Sequence, residues 1–188
     1  MSAADIQSIQ GKFSNAVLDH KEFREEFTVT VTLESLHAVL QFCKETLGYD
    51  FLIDISSLDH FGDDPRFAMV YELATVDDKK HLRVKAPVAE EESVPSACDL
   101  WLAADWHERE VYDMMGIPFT NHPNLKRILM WEGYPFYPLR KDFPLAGRPS
   151  DMPDVAFSGV APLEGGPFVT SCGTDDVVRR EPRARDQK

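Results

Sequence analysis

Apolar and polar side chains alternate along three segments in the first half of the chain, residues 27–32, 67–73 and 81–88. A period of two residues is typical of half-buried β-strands, so each segment predicts a strand. A fourth segment, residues 51–55, is a short apolar run that predicts a buried strand. Because only a short polar turn separates the last two alternating segments, they are predicted to form a hairpin.

Two other segments carry apolar residues at every third or fourth position, which is the period of an amphipathic helix. One stripe comprises Leu33, Leu36, Leu40, Cys43 and Leu47, and the other comprises Leu100, Ala103, Ala104, His107, Val111 and Met114. Thr32 suits the start of the first helix, while Gly48 and Gly116 suit the two helix ends. A further short helix is predicted over residues 3–13.

This order of helices and strands predicts the fold class. It favours an α+β fold over repeated βαβ units, with a two-layer domain whose mixed or antiparallel sheet is covered by helices. We assign this domain to residues 1–116, because every periodic segment lies before Gly116.

The chain after Gly116 has no such period, and prolines follow at positions 118, 123, 135, 138, 144, 149 and 153. Prolines at this density exclude a helix or a central strand, so residues 117–150 are predicted to form a long extended C-terminal arm. Its stretch 134–145, YPFYPLRKDFPL, is too apolar for a solvated loop and is predicted to dock on a partner protein. Residues 151–188 are predicted to be a partly disordered tail.

The formal charge of this chain of 188 residues is −12, with 32 acidic and 20 basic residues, which argues against nucleic acid as a partner. The sequence has no apolar run of about 18 residues that would predict a membrane-spanning helix. The first residues also lack the features of a signal peptide, so a cytoplasmic location is predicted.

The motifs of common cofactor sites are missing from the sequence. Cys43, Cys98 and Cys172 lie far apart, which argues against an iron–sulfur cluster, a zinc ribbon or a disulfide framework. The glycine-rich and nucleophile motifs G-x-G-x-x-G, G-x-x-x-x-G-K-[ST] and G-x-S-x-G are also missing. We therefore predict no catalytic, cofactor-binding or metal-binding residue in this chain.

The segment WHEREVYD carries His107 and Glu110, which leaves a metal-dependent hydrolase as a remote alternative. The zinc-protease motif needs a second histidine where Val111 stands. Glu108 and Glu110 lie about 200° apart around a helix, so they cannot share one ligand face. The favoured interpretation is a helix with an apolar stripe and a charged back.

Other charged side chains of the last helix and the arm are predicted to form ion pairs. Arg109 and Asp113 are spaced for an i,i+4 ion pair on the helix. In the arm, Lys126, Arg127, Arg140 and Lys141 would bind carboxylates of the partner. Arg140 lies between two prolines in extended chain, and its side chain is expected to point outward.

Several motifs of the last helix and the arm resemble the signature of a known family. They are Glu108-Arg109-Glu110, Tyr112-Asp113, Gly116-Ile117, Phe119, His122-Pro123, Leu125, Arg127-Ile128-Leu129 and Pro138-Leu139-Arg140-Lys141-Asp142-Phe143-Pro144. Together they resemble the 30-kDa subunit of respiratory complex I, which in bacteria is the C subunit of NADH–quinone oxidoreductase. The likeness in fold extends over about residues 20–150. Lys126 and Phe136 depart from it, standing where arginine and glycine are usual.

The resemblance implies an α+β subunit without a redox centre, in the peripheral arm on the cytoplasmic face of the bacterial plasma membrane. Such a subunit braces the neighbouring 49-kDa-type subunit that forms the quinone pocket, while the whole complex uses FMN, iron–sulfur clusters and quinone and pumps protons. The partner-interface residues that it implies are Glu108, Arg109, Glu110, Asp113, His122, Pro123, Leu125, Arg127, Pro138, Leu139, Arg140, Lys141, Asp142 and Phe143.

The main alternative comes from complexes related to complex I: the chain would be the equivalent subunit of a membrane-bound hydrogenase or of another quinone-reducing complex. In hydrogenases this domain is often fused to the large subunit, so a separate chain favours complex I.

Overall fold

The computed structural model describes residues 3–77 and 80–144, and the predicted tail, residues 151–188, lies outside the described residues. Residues Met1–Lys141 form one compact unit; a second unit, Asp142–Lys188, is described only over residues 142–144. The helices are α1 (Ala3–Lys12), α2 (Leu36–Glu45) and α3 (Ala104–Met115). The strands are β1 (Val17–Phe23), β2 (Glu26–Val31), β3 (Phe51–Asp59), β4 (Phe67–Ala74), β5 (His81–Val88), β6 (Val94–Pro95) and β7 (Phe119–Thr120).

Five strands form one sheet in the order β1-β2-β5-β4-β3. The β2–β5 pair is parallel and the other three pairs are antiparallel, so the sheet is mixed. The predicted hairpin of β4 and β5 is confirmed, with Tyr71 opposite Val84 and Leu73 opposite Leu82. A small parallel pair, β6 with β7, brings the start of the arm back beside residue 94.

One face of the sheet is buried against the helices. Ile9 of α1, Leu40 of α2 and Met114 of α3 belong to the same buried cluster as Tyr71 and Val84 of the sheet. This arrangement confirms the predicted α+β fold. The two-residue period explains it, since alternate side chains of β5 point into this cluster while those between them are only half-buried.

The opposite face of the sheet is polar. Thr28 and Thr30 of β2 lie beside Arg83 and Lys85 of β5, and Arg83 pairs with Glu72 of β4. A mixed or antiparallel sheet can present such a face to water.

Strand β1 was not predicted, because six of its seven residues are exposed and its sequence, VLDHKEF, has no apolar face. Helix α3 begins at Ala104, later than the apolar stripe suggests, because the N–H groups of Leu100 and Trp101 both bind the Ala97 carbonyl in a turn. Thr32 starts a short 3₁₀ turn, Leu33–Ser35, and makes no side-chain cap.

The predicted end of α3 is confirmed at Gly116, whose φ of 74° is left-handed. Within the described parts of the chain, no helix combines the length and apolar character needed to cross a membrane.

Candidate functional site

The carboxylate of Asp113, in the last turn of α3, is the centre of the structure that joins this helix to the arm. Its Oδ2 accepts the backbone N–H groups of Ile128, Leu129 and Met130 at 2.9, 2.6 and 2.9 Å. Its Oδ1 lies 2.6 Å from Nη1 of Arg127. Burial alone raises the pKa of Asp113, but the N–H groups and the guanidinium outweigh it and hold the pKa below its ordinary value.

Arg127 extends this network along the arm. Its Nη1 also donates to the Asp113 carbonyl at 2.9 Å, and its Nη2 donates to the carbonyls of Tyr134 and Phe136 at 2.7 and 3.3 Å. The guanidinium carbon lies 5.1 Å from the ring centre of Tyr137. One side chain therefore holds two separate stretches of the arm against the end of α3.

Arg140 points inward, in contrast to the expectation from its flanking prolines. Its Nε donates to the Met115 carbonyl at 2.6 Å, and its Nη1 pairs with Glu90 at 3.1 Å. Its guanidinium carbon lies 5.1 Å from the ring centre of Phe67 and 4.5 Å from that of Tyr137. The carbonyl at a helix end has no helical partner, so a guanidinium is well placed there.

Gly116 makes this close approach possible. A Cβ atom at position 116 would lie 2.5 Å from the Tyr137 ring and 2.8 Å from Nη2 of Arg140. The glycine thus serves two purposes, because it also adopts the left-handed backbone that ends α3.

A second ion-pair network ties Lys141 to the end of β3. Arg66 binds Asp59 through Nε at 2.9 Å and through Nη2 at 3.0 Å, and its Nη1 reaches Glu90 at 2.9 Å. The backbone N–H of Lys141 donates to Asp59 at 2.8 Å. The Arg66 hydrogen bond is the main reason that the pKa of Asp59 is lowered.

Glu108 of α3 forms a cluster with the side chains of Cys98 and His122, in which Glu108 and the ring of His122 are buried and Cys98 is half-buried. Among the described residues, these three are the group whose ligand atoms could hold a metal ion, all within 4.8 Å of one another. Glu108 accepts the Ala97 N–H at 2.6 Å and the Cys98 thiol at 3.6 Å, and burial raises the pKa of both Glu108 and Cys98, the latter to about 11.

The histidine of this cluster is held in one tautomer. Its Nδ1 accepts the N–H of Asn124 at 3.0 Å, which leaves the proton on Nε2, facing the Asp105 carbonyl at 3.2 Å. A cation at Nε2 would have to displace that proton and disrupt the bond to Asn124. The arrangement therefore suits a hydrogen-bonded support for α3 better than a metal centre.

Two predictions about α3 are wrong. Asp113 pairs with Arg127 and not with Arg109, whose Nε donates to the Lys126 carbonyl at 3.1 Å. The predicted division into an apolar stripe and a charged back fails at Glu108, which is fully buried, although Glu110 is exposed. Counting the helix face would have found Glu108, since it falls on one stripe with Ala104, Val111 and Met115.

The predicted interface residues fall into groups that differ in exposure. Asp113, Glu108 and the ring of His122 are fully buried, and the side chains of Arg127 and Arg140 are largely buried. Arg109, Leu125 and Pro138 are half-buried, whereas Glu110, Pro123, Leu139 and Lys141 are exposed. In the second unit, Asp142 is exposed and Phe143 is half-buried. Their role at an interface stays a prediction.

Comparison with known proteins identifies the family. The family model described as the 30-kDa subunit of respiratory-chain NADH dehydrogenase matches residues 29–149. The chain belongs to this family. It is 49% identical over 143 residues to the C subunit of the NADH-quinone oxidoreductase of Citrifermentans bemidjiense, covering 76% of this chain and 89% of that protein. It is 38% identical over 161 residues to the C 2 subunit of the same enzyme in Rhizobium meliloti, covering 85% and 88%.

A solved structure has a similar fold. A chain of the membrane-bound sulfane sulfur reductase, an archaeal respiratory membrane complex, superposes with a TM-score of 0.64. It is 25% identical, and the match covers 74% of this chain and 84% of that chain. The resemblance to the complex I family that the motifs of α3 and the arm indicated is thus confirmed.

Proposed function

We propose that this protein is a non-catalytic structural subunit in the peripheral arm of a proton-pumping NADH–quinone oxidoreductase. In this role it braces the 49-kDa-type subunit that forms the quinone site, while electrons pass from NADH through FMN and iron–sulfur centres to quinone. The protein lies at the cytoplasmic face of the bacterial plasma membrane as a peripheral protein, and it carries no cofactor of its own.

The observation that carries this proposal is that charged residues of the family motifs make contacts within this chain. Asp113 pairs with Arg127 and accepts the Ile128 N–H, and Arg140 donates to the Met115 carbonyl. These contacts join α3 to the arm. Groups held in this way fix α3 and the arm against each other, which gives the two a rigid surface. A rigid surface is what a bracing subunit has to supply.

Affinity purification of the full chain from its own membranes tests the proposal. We expect it to co-purify with the NADH-oxidising and quinone-site subunits, in a preparation that reduces quinone with NADH. Deletion of its gene should abolish the assembled complex. The purified chain alone is expected to be colourless, free of stoichiometric metal and unable to oxidise NADH; a visible absorption band would contradict this.

The structural match to the sulfane sulfur reductase complex favours one second candidate, the equivalent subunit of another membrane-bound respiratory complex. The same purification separates the two. Nickel–iron or sulfur-reducing partners in place of NADH-oxidising ones would support the second candidate and overturn the first.

A further inference from the structure

Strand β1 forms one edge of the five-stranded sheet. It comes first in the order β1-β2-β5-β4-β3, and among the described residues β2 is the one strand that pairs with it. Six of its seven residues are exposed, including Leu18 and Phe23, which are 56% and 58% exposed. An exposed edge strand presents backbone N–H and C=O groups that can pair with another strand. A further strand can therefore join the sheet at β1.

The middle of β1 carries a local hydrogen bond that strand pairing can replace. The backbone N–H of His20 donates to Oδ1 of the adjacent Asp19 at 2.8 Å. Bonds of this kind, from a backbone group to a neighbouring side chain, compete with the ladder of a sheet. If Asp19 turned toward a cation on an added strand, the His20 N–H would be free to bind that strand.

The charges of β1 match those of a second copy of the same strand. Two identical edge strands can pair antiparallel about a two-fold axis perpendicular to the sheet, and residues opposite each other then point to the same face. A register centred on His20 places Asp19 of each copy opposite Lys21 of the other. In the chain itself these two side chains flank Thr30 and Thr28 of β2 on the polar face. Opposite charges directly across a strand pair are stabilising.

The neighbouring registers of the same symmetry lack this match. A register centred on Asp19 would place two aspartates opposite each other, one centred on Lys21 would oppose two lysines, and one centred on Glu22 would oppose two glutamates. Like charges directly opposite each other are destabilising. The sequence of β1 therefore favours one register over those beside it, which a specific strand pairing requires.

The position of β1 in the fold separates this edge from the arm. Strands β1 and β3 are the two opposite edges of the sheet, and the backbone N–H of Lys141 in the arm binds Asp59 at the end of β3. A second copy that joins the sheet at β1 therefore leaves this contact of the arm unchanged.

We infer that β1 is a self-association surface, through which two copies of this chain pair in the register centred on His20, with Asp19 of each copy bound to Lys21 of the other. The inference goes beyond the proposed function and does not depend on it. The association is expected to be weak and reversible, because one pair of strand edges buries less surface than a stable interface needs.

Sedimentation equilibrium of the purified full-length chain tests the inference by exchanging charges. Wild type is compared with Asp19→Lys, with Lys21→Glu and with the variant that carries both changes. The matched control is Glu22→Lys, which changes the net charge as much as Asp19→Lys does. Glu22 lies opposite Leu18 in this register, so reversing its charge breaks no ion pair and creates no like-charge pair. The melting temperature of each protein is measured in parallel.

We expect wild type and Glu22→Lys to dimerise alike. Asp19→Lys and Lys21→Glu should each raise the dimer Kd at least about tenfold, because each change turns two favourable cross-strand pairs into two unfavourable ones. The double variant should dimerise again. An equimolar mixture of the two single variants should also form a dimer, with one copy of each, because every new charge then meets its opposite.

Three results would overturn the inference. The first is a wild type that stays monomeric at about 1 mM, where a dimer with a millimolar Kd would be about half formed. The second is a dimer that all the variants form equally, since its contact would lie elsewhere on the chain. The third is a double variant and a mixture that both stay monomeric although their melting temperatures match wild type. None of these results bears on the proposed function, because the measurement uses the isolated chain.

Discussion

Asp113 and Arg127, fourteen residues apart in sequence, form an ion pair in which Oδ1 and Nη1 are 2.6 Å apart and the carboxylate is fully buried. A carboxylate in the last turn of a helix faces the negative end of the helix dipole, which is unfavourable by itself. Here three backbone N–H groups of the arm and the guanidinium compensate for it. The pair therefore links the fold of the arm to the end of α3.

Replacing Asp113 with Asn keeps the size of the side chain and removes its charge. We expect the free energy of unfolding to fall by about 3–5 kcal/mol, because the guanidinium of Arg127 stays buried without its carboxylate. Chemical denaturation of the purified protein measures this. The control is Asp99→Asn, in an exposed pair with His37, which should cost about 1 kcal/mol or less. Equal losses for the two variants would contradict the role given to Asp113.

Stability should fall in acid. The folded-state pKa values of Asp59 and Asp113 are lowered from 3.8, so their stabilisation is present above pH 3.8 and is lost as pH falls through the folded-state values. Urea titrations from neutral pH down to about pH 2.5 should show wild type losing more stability than Asp113→Asn over this window. If the stability of wild type and of Asp113→Asn depended on pH in the same way, the pKa of Asp113 would be the same in the folded and unfolded states.

Arg140→Glu is expected to destabilise the protein itself, by about 3 kcal/mol, because the new carboxylate would face Glu90 and the Met115 carbonyl. Arg140→Lys keeps the charge but loses the planar fork, so its loss should be smaller. Melting curves of both variants are compared with native gels of membranes. An unchanged melting curve together with a missing complex would favour the outward-pointing arginine expected from the prolines.

Gly116→Ala should destabilise the protein by more than about 1 kcal/mol, because the left-handed backbone alone costs about that much for a side chain. The new Cβ would also displace Tyr137. Gly11→Ala is the matched control, since Gly11 is in helix α1 and a Cβ there would meet no atom within 4 Å outside the backbone of its own helix turn. It should be neutral or slightly stabilising, and thermal melts of the two variants give the comparison.

Shortening the chain tests how much of the arm belongs to the domain. The independent folding of residues 1–116 stays a prediction, but Ile117, Phe119 and Tyr134 are all buried. We therefore expect a chain that ends at Lys141 to melt cooperatively, and one that ends at Gly116 to melt at a clearly lower temperature. Equal melting temperatures would mean that the arm contributes nothing to the domain.

The sequence by itself determined the two-layer fold, the helices and four of the strands. Three of these strands and the amphipathic helices were visible because each buries one face, and a repeating apolar face appears directly as a period of two or about 3.6 residues. Strand β3 was visible only as a run of apolar residues, and the prediction that this run is buried is wrong for Phe51 and Ile53, which are exposed. Gly116 as the end of α3 was also visible, since a left-handed position at a helix end favours glycine. The family motifs could be recognised because they consist of particular residue types at fixed spacings, which can be read directly from the sequence.

Only the tertiary structure decided where the charged residues of those motifs point. Spacing along the helix paired Asp113 with Arg109, but the arm brings Arg127 and three N–H groups to the same carboxylate, and these contacts outweigh an exposed i,i+4 pair. Extended backbone around Arg140 is compatible with either direction of its side chain, and the rings of Phe67 and Tyr137 select the inward one. Long-range contacts of this kind leave no local period in the sequence.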